Sequence, residues 1–195
     1  MAWCGERPVQ HLLRTQPVDT RWCLIHATHM TADETRRLSA SGAVAGLCPI
    51  TEANLGDGIF PALDYRGAWG IGSDSNVEIT APGELRLLEY GQRLLHRGRN
   101  LLAGAAGAST GEAMYRHALA GGAQACGRDI GRIAVGARAD IVVLDPGRDL
   151  DAYVFTRPWP LDVMVGGTFC VRGGRHVARD AVAARFMRMM DRLRG

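Results

Sequence analysis

The chain has 195 residues, 47% of them hydrophobic and 22% charged, with a net charge of +3. That balance suits one or two compact units with a sizeable core and excludes a disordered or fibrous chain. Every basic residue is an arginine, and they are scattered rather than gathered on one stripe. Nucleic acid is therefore not an expected partner, and no apolar run reaches the length of a membrane span.

The cysteines Cys4, Cys23, Cys48, Cys126 and Cys170 are odd in number, widely spaced and free of any Cys-x-x-Cys pair. Residues 1–8 contain no apolar signal core. Reduced thiols in a cytoplasmic protein are the expectation.

In chain order, residues 7–16 carry Val9, Leu12 and Leu13 at helical spacing with Pro8 near the first turn, which predicts a short amphipathic helix. Residues 22–25 read as a buried strand ending at His26. Thr31 to Glu34 has the form of a capping box, so a helix is expected from Ala32 to Ser41, stopped by Gly42. Residues 43–47 are the next apolar strand, and residues 48–58 read as a polar, glycine-punctuated loop. Residues 60–65 form one helical turn or two before a third strand that ends in Gly72, Ser73 and Asp74. Strands alternating with helices imply parallel pairing, which brings the loops with His26, with Thr51 to Asp57 and with Asp74 to one edge.

A helix is expected over residues 84–97, and a small-residue helix over 110–121, ending at Gly121 and Gly122. Beyond it the texture changes. Residues 133–145 read as a glycine turn between strands, and residues 163–174 as a hairpin built on Gly166 and Gly167. Residues 181–193 close the chain as a helix with Val182, Phe186, Met189, Met190 and Leu193 inward.

A histidine and an aspartate, each at the end of its own strand, can converge on one metal ion or one water. By themselves the residues leave alternatives open. Asp74 reads as a turn or cap aspartate or as a ligand, and His26 as a strand-end histidine or as a reacting group. Thr51, Glu52, Asn54 and Asp57 form a polar cluster that either contacts a ligand or braces its own loop. His29 reads as structural, and His11, His96, His117 and His176 as surface residues without partners at metal spacing.

The segments HATH at 26–29, SGAVAGLCPITEANLGDGIFPA at 41–62, GIGSDSN at 70–76 and ELRLLEYGQRL at 84–94 resemble the formimidoylglutamate deiminases, a zinc-dependent family of the amidohydrolase superfamily. GRIAVGARADIVVLD at 131–145 resembles the strand that returns the superfamily's chain to its β-sandwich. The resemblance implies an α/β fold, the C-terminal part of a (β/α)8 barrel comprising about strands 6–8 with their helices, plus part of a small β-sandwich. Residues 1–130 would be the partial barrel and residues 131–195 the sandwich strands and final helix.

It also implies hydrolysis of N-formimino-L-glutamate, a small-molecule substrate of histidine breakdown, to N-formyl-L-glutamate and ammonia. Asp74 matches the zinc ligand after strand 8, with a second role as proton acceptor, and His26 matches the histidine that contacts the reacting water or intermediate. Thr51, Glu52, Asn54 and Asp57 would touch the glutamate-like substrate. Asn76 stands where the family pattern has histidine. The His-x-His pair and the His-x-x-Glu that supply the other zinc ligands and a proton-shuttling glutamate are absent. The chain is therefore expected to be the C-terminal half of a longer enzyme, inactive alone, and to self-associate or to join a complementing N-terminal half, because a partial barrel leaves edge backbone and apolar helix faces open.

Overall fold

The structure is a computed structural model that describes residues 4–75, 77–156 and 159–195. The reading of Asn76 lies outside the described residues. The elements run α1 (Pro8–Thr15), β1 (Cys23–Ile25), α2 (Ala32–Ser41), β2 (Val44–Leu47), α3 (Pro49–Leu55), β3 (Trp69–Ile71), α4 (Ala81–His96), α5 (Thr110–Cys126), β4 (Ile141–Val143), α6 (Leu150–Phe155), β5 (Asp162–Val165), β6 (Thr168–Arg172), β7 (Arg175–His176) and α7 (Arg179–Arg194). The chain divides into two compact units, Met1–Gly131 with Asp149–Pro158, and Arg132–Arg148 with Trp159–Gly195.

The first unit is built on a parallel sheet in the order β1-β2-β3. Cys23 pairs with Val44 and Ile25 with Gly46, while Ala45 pairs with Trp69 and Leu47 with Ile71. The central strand is buried along its whole length, as a parallel strand covered on both faces must be. Leu38 of α2, Leu85 and Leu88 of α4, Met114 of α5 and Val154 of α6 close over it together with Phe60, Tyr65 and Trp69. Removing these side chains from water is the main stabilising contribution, on the order of 1.5–3 kcal/mol for each large one.

Local chemistry sets the helix ends. Thr31 Oγ1 accepts the Glu34 N–H at 3.2 Å while the Glu34 carboxylate accepts the Thr31 N–H at 2.7 Å, and Gly42 ends α2 in the left-handed conformation. Glu34 is buried and also accepts from Arg7 Nε at 2.8 Å and from the Gln10 N–H, so one carboxylate ties α1 to α2.

Five expectations from sequence need correction. Residues 48–58 are not all loop, because α3 occupies Pro49–Leu55, with Pro49 in its first turn and Gly56 left-handed at its end. Residues 60–65 form a turn rather than a helix, pinned by the Tyr65 hydroxyl, which donates to the Ala43 and Ala68 carbonyls. Helix α5 continues through Gly121 and Gly122 to Cys126. There the glycines allow the helix to press against β3, since a Cβ on Gly121 would stand 1.9 Å from the Trp69 carbonyl oxygen.

The second unit is an antiparallel sheet in the order β4-β5-β6-β7. The β5–β6 hairpin turns on Gly166 and Gly167, both at positive φ, as the primed turn requires. The last two corrections fall here. No strand forms at Ile133 to Val135, both of whose apolar side chains are exposed, and the apolar stripe of α7 is exposed too, with Val182, Phe186, Met189 and Leu193 each half or more in solvent. Helical periodicity marks an apolar stripe without saying what covers it.

Candidate active site

The sheet places its chemistry at the C-terminal ends of the strands. After β1, the His26 N–H still bonds the Gly46 carbonyl at 2.8 Å, and after β3 the Gly72 N–H bonds the Leu47 carbonyl at 2.9 Å. The chain then turns abruptly in both places. His26, Ala27 and Asp74 have φ of 66°, 50° and 42°. Left-handed backbone costs a non-glycine residue free energy and persists where the surroundings over-determine it.

These turns bring His26 Nε2 to 3.9 Å from Asp74 Oδ2. The other ring nitrogen, His26 Nδ1, lies 3.2 Å from Glu52 Oε1. Glu52 is 3% exposed, and the same Oε1 accepts the Cys48 N–H at 3.0 Å. His26 and Asp74 thus face partly open space, while Glu52 sits behind the imidazole.

Thr51 is fully buried and braces the other side. Its hydroxyl lies 2.9 Å from Ser75 Oγ and 3.3 Å from the Ser73 carbonyl, and it accepts the Ser75 N–H at 3.3 Å. It therefore grips the turn on both flanks of Asp74. Asn54 is exposed on α3. Asp57 is half-buried, and its carbonyl accepts from Thr28 Oγ1 at 2.7 Å, linking the turn after α3 to the one after His26. The structure brings Thr51 and Glu52 directly to Asp74 and His26, whereas Asn54 and the Asp57 carboxylate have no such contact with that pair.

One group was missed in the sequence. Glu84, in the first turn of α4, is 1% exposed and accepts the Ile50 N–H at 2.9 Å. Burial, reinforced by the charges of Glu52, Glu78 and Asp74, pushes its carboxyl up to about 7. Cys48 is buried, and that burial, with Glu52 and Asp74 nearby, pushes its thiol up to about 11. Such a thiol is inert at neutral pH.

Zinc requires more donors than this arrangement holds. A catalytic site uses three protein ligands and a water, and around Asp74 the only other described donor in reach is His26. The residues present do not make a zinc site by themselves. One other cluster, Cys4, Glu6 and His11, brings three donor atoms within 4.8 Å of one another. His11, read from sequence as a surface residue without partners at metal spacing, thus has Glu6 at 2.7 Å and belongs to this cluster. Arg14 forks the same carboxylate at 2.7 and 2.9 Å, and with His11 holds it down at about 2, so a cation there would compete with a guanidinium.

A groove of about 380 Å³ runs beside this edge, with Ile25, His26, Ala27 and Met30 in its wall. No described helix is long and apolar enough to cross a membrane.

Comparison with known proteins supplies the context for this half-built constellation. Over 98% of its length the chain is 48% identical to the formimidoylglutamate deiminase of Pseudomonas aeruginosa, of which it covers 46%. Its fold matches that of an amidohydrolase from Brucella melitensis with a TM-score of 0.91 and 46% identity, covering 100% of this chain and 46% of that one. An adenosine deaminase from Xanthomonas campestris with bound zinc matches at a TM-score of 0.81 and 25% identity, covering 99% of this chain and 47% of that one. The chain spans about half the length of these relatives. Its parallel sheet with flanking helices is thus part of an amidohydrolase barrel, and its antiparallel strands are a small accompanying sheet. With the Amidohydrolase family signature matching residues 4–170, the chain belongs to the amidohydrolase family.

Proposed function

We propose that this chain carries the C-terminal part of the catalytic site of a deaminase that hydrolyses N-formimino-L-glutamate to N-formyl-L-glutamate and ammonia, in the breakdown of histidine. The observation that carries the reading is the convergence of His26 and Asp74, 3.9 Å apart on left-handed backbone, in a chain so similar to a formimidoylglutamate deiminase. The reaction needs a water to lose a proton as its oxygen attacks the formimino carbon, and needs a proton returned to the nitrogen that departs as ammonia.

In this reading the Asp74 carboxylate accepts the proton that the water loses and later returns it to the leaving nitrogen. His26 Nε2 hydrogen-bonds the attacking oxygen and then the tetrahedral intermediate, an interaction that strengthens as charge develops. Zinc belongs to the complete site rather than to this chain, with Asp74 as the donor this chain contributes; when bound, it would ionise water near neutral pH. Thr51 and Glu52 serve the turn and the imidazole, which leaves Asn54 and Asp57 as the residues of this segment for the substrate. All five cysteines are free thiols, which suits a reducing compartment such as the cytoplasm.

The test is ammonia release from N-formimino-L-glutamate with zinc present, measured for the chain alone and after mixing with the N-terminal half of the Pseudomonas relative. Activity only in the mixture, lost with Asp74→Asn, is expected. Activity of the chain alone would overturn the half-site reading, and an inactive mixture in which the halves associate would overturn the substrate assignment.

A further inference from the structure

We propose that Cys4, Glu6 and His11 form a second metal site, separate from Asp74 and His26, that takes one divalent ion of the zinc class with Arg14 as a competing cation. The site stands on its own donors and owes nothing to the reaction assigned above.

Local backbone brings the donors together. Glu6 stands just before α1 and His11 one turn into it, so the imidazole reaches back to the carboxylate, with Nδ1 2.7 Å from Oε2. Gly5 has a φ of 73°, and the left-handed turn it makes leaves Cys4 Sγ 3.9 Å from the Glu6 carbonyl oxygen. One donor atom from each of the three side chains lies within 4.8 Å of the other two. The platform beneath them is fixed. The buried Glu34 carboxylate accepts from Arg7 Nε at 2.8 Å and from the Gln10 N–H at 3.1 Å, which ties this end of α1 to α2.

The donor types select the ion. A thiolate, an imidazole and one carboxylate suit zinc and its neighbours, whereas calcium and magnesium take oxygen donors. Metal–ligand bonds of about 2.0–2.3 Å hold the donors of a tetrahedral ion about 3.3–3.6 Å apart, so these atoms need to close in by about 1 Å or less. Cys4, exposed on its turn, can make that movement. The thiolate and the carboxylate together neutralise a doubly charged cation, and a water completes the fourth position.

Arg14 sets the affinity. Its Nε and Nη2 donate to Glu6 Oε1 and Oε2 at 2.7 and 2.9 Å, so a guanidinium occupies the carboxylate that the ion would use. The Arg14 side chain is 58% exposed and can swing into water. An exposed ion pair yields to a metal ion that bonds the carboxylate directly, so Arg14 lowers the affinity without closing the site. The ion is held while free metal is present and is lost on dialysis.

The experiment is a titration of the full, reduced chain with cobalt(II) alone, followed by absorption spectroscopy. Wild type should develop a thiolate-to-cobalt charge-transfer band in the near ultraviolet that saturates at one equivalent and disappears when zinc is added. Cys4→Ser should lose the band, His11→Gln should weaken binding about tenfold or more, and Asp74→Ala should change neither. Arg14→Gln should tighten binding about threefold or more, because it removes the competing charge. Cys4 and Arg14 are exposed, so these two decisive variants keep the fold. A wild type without the band, a band that survives Cys4→Ser, or an affinity unmoved or lowered in Arg14→Gln would overturn the proposal. Because nothing here is read from turnover, failure of this inference and failure of the substrate assignment are separately visible.

Discussion

Gly121 packs so closely on Trp69 that a Cβ added to the glycine would stand 1.9 Å from the Trp69 carbonyl oxygen and 2.3 Å from its carbonyl carbon. Both obstacles are backbone, which cannot swing aside as a side chain can. Gly121→Ala must push α5 away from β3, the strand that delivers Asp74, at a cost of about 1–3 kcal/mol or more. Gly122 next to it has open space at its Cβ position, so Gly122→Ala should stabilise α5 by about 0.5–1 kcal/mol. Thermal melts followed by circular dichroism should shift in opposite directions for these neighbouring, chemically identical substitutions. Equal shifts would disprove the close helix–strand contact.

Glu84 gives the fold an unusual dependence on pH. Its carboxyl is raised from 4.5 to about 7 by burial, with the charges of Glu52, Glu78 and Asp74 adding to the effect and the Ile50 N–H opposing it. The folded state therefore holds a proton that the unfolded chain releases. The associated stability is fully present below about pH 4.5 and is lost as pH rises through about 7, a change on the order of 3 kcal/mol. Glu6, Asp19 and Glu34 are shifted downward, so their contributions are lost at the opposite, acid end. Urea melts from pH 5 to 8 should show falling stability in wild type and a flatter profile in Glu84→Gln, whatever the variant's absolute stability. Identical slopes would show that Glu84 does not hold the proton.

The parts of this molecule legible in its sequence are those fixed by neighbouring residues. Helix α2 begins and ends where Thr31, Glu34 and Gly42 dictate, and the β5–β6 hairpin turns on its two glycines, because capping and turn chemistry act over a few residues. Helix α3 was hidden because its seven residues owe their order to distant partners: Glu84 holds the Ile50 N–H, and Ser73 and Ser75 hold Thr51. The strand ends pointed to His26 and Asp74 as neighbours, but nothing local announces that Glu52 lies behind His26, a contact between residues 26 positions apart. Gly121 and Gly122 read as a helix stop because glycine disfavours helix, whereas here the first of them is what allows the helix to approach the sheet.

Zinc binding should reveal the incompleteness of the site directly. Asp74 with His26 falls short of three protein donors, so the isolated chain dialysed against metal-free buffer should keep well below one equivalent of zinc by elemental analysis. Mixing with the N-terminal half of the Pseudomonas relative should raise this to stoichiometric zinc, and Asp74→Ala should abolish the gain. Any residual zinc on the chain alone that disappears in Cys4→Ser would belong to the Cys4, Glu6 and His11 cluster. One full equivalent retained by both the chain and its Cys4→Ser variant would contradict the ligand count.

Helix α7 points to self-association of the chain in isolation. Val182, Phe186, Met189 and Leu193 recur at helical spacing and are 60%, 60%, 50% and 74% exposed. A contiguous apolar stripe of this kind is an interaction surface or a liability rather than ordinary surface. The β1 edge adds apolar surface of its own, with Ile25 53% exposed. Light scattering should therefore report oligomers at micromolar concentration. The double variant Phe186→Glu with Leu193→Glu should reduce their mass while leaving the melting temperature nearly unchanged, since substitutions at exposed sites cost within about 0.5 kcal/mol. If the oligomers persist in that variant but vanish with Ile25→Thr, association runs through the sheet edge instead of the helix, and a wild-type chain that is monodisperse and monomeric would contradict both.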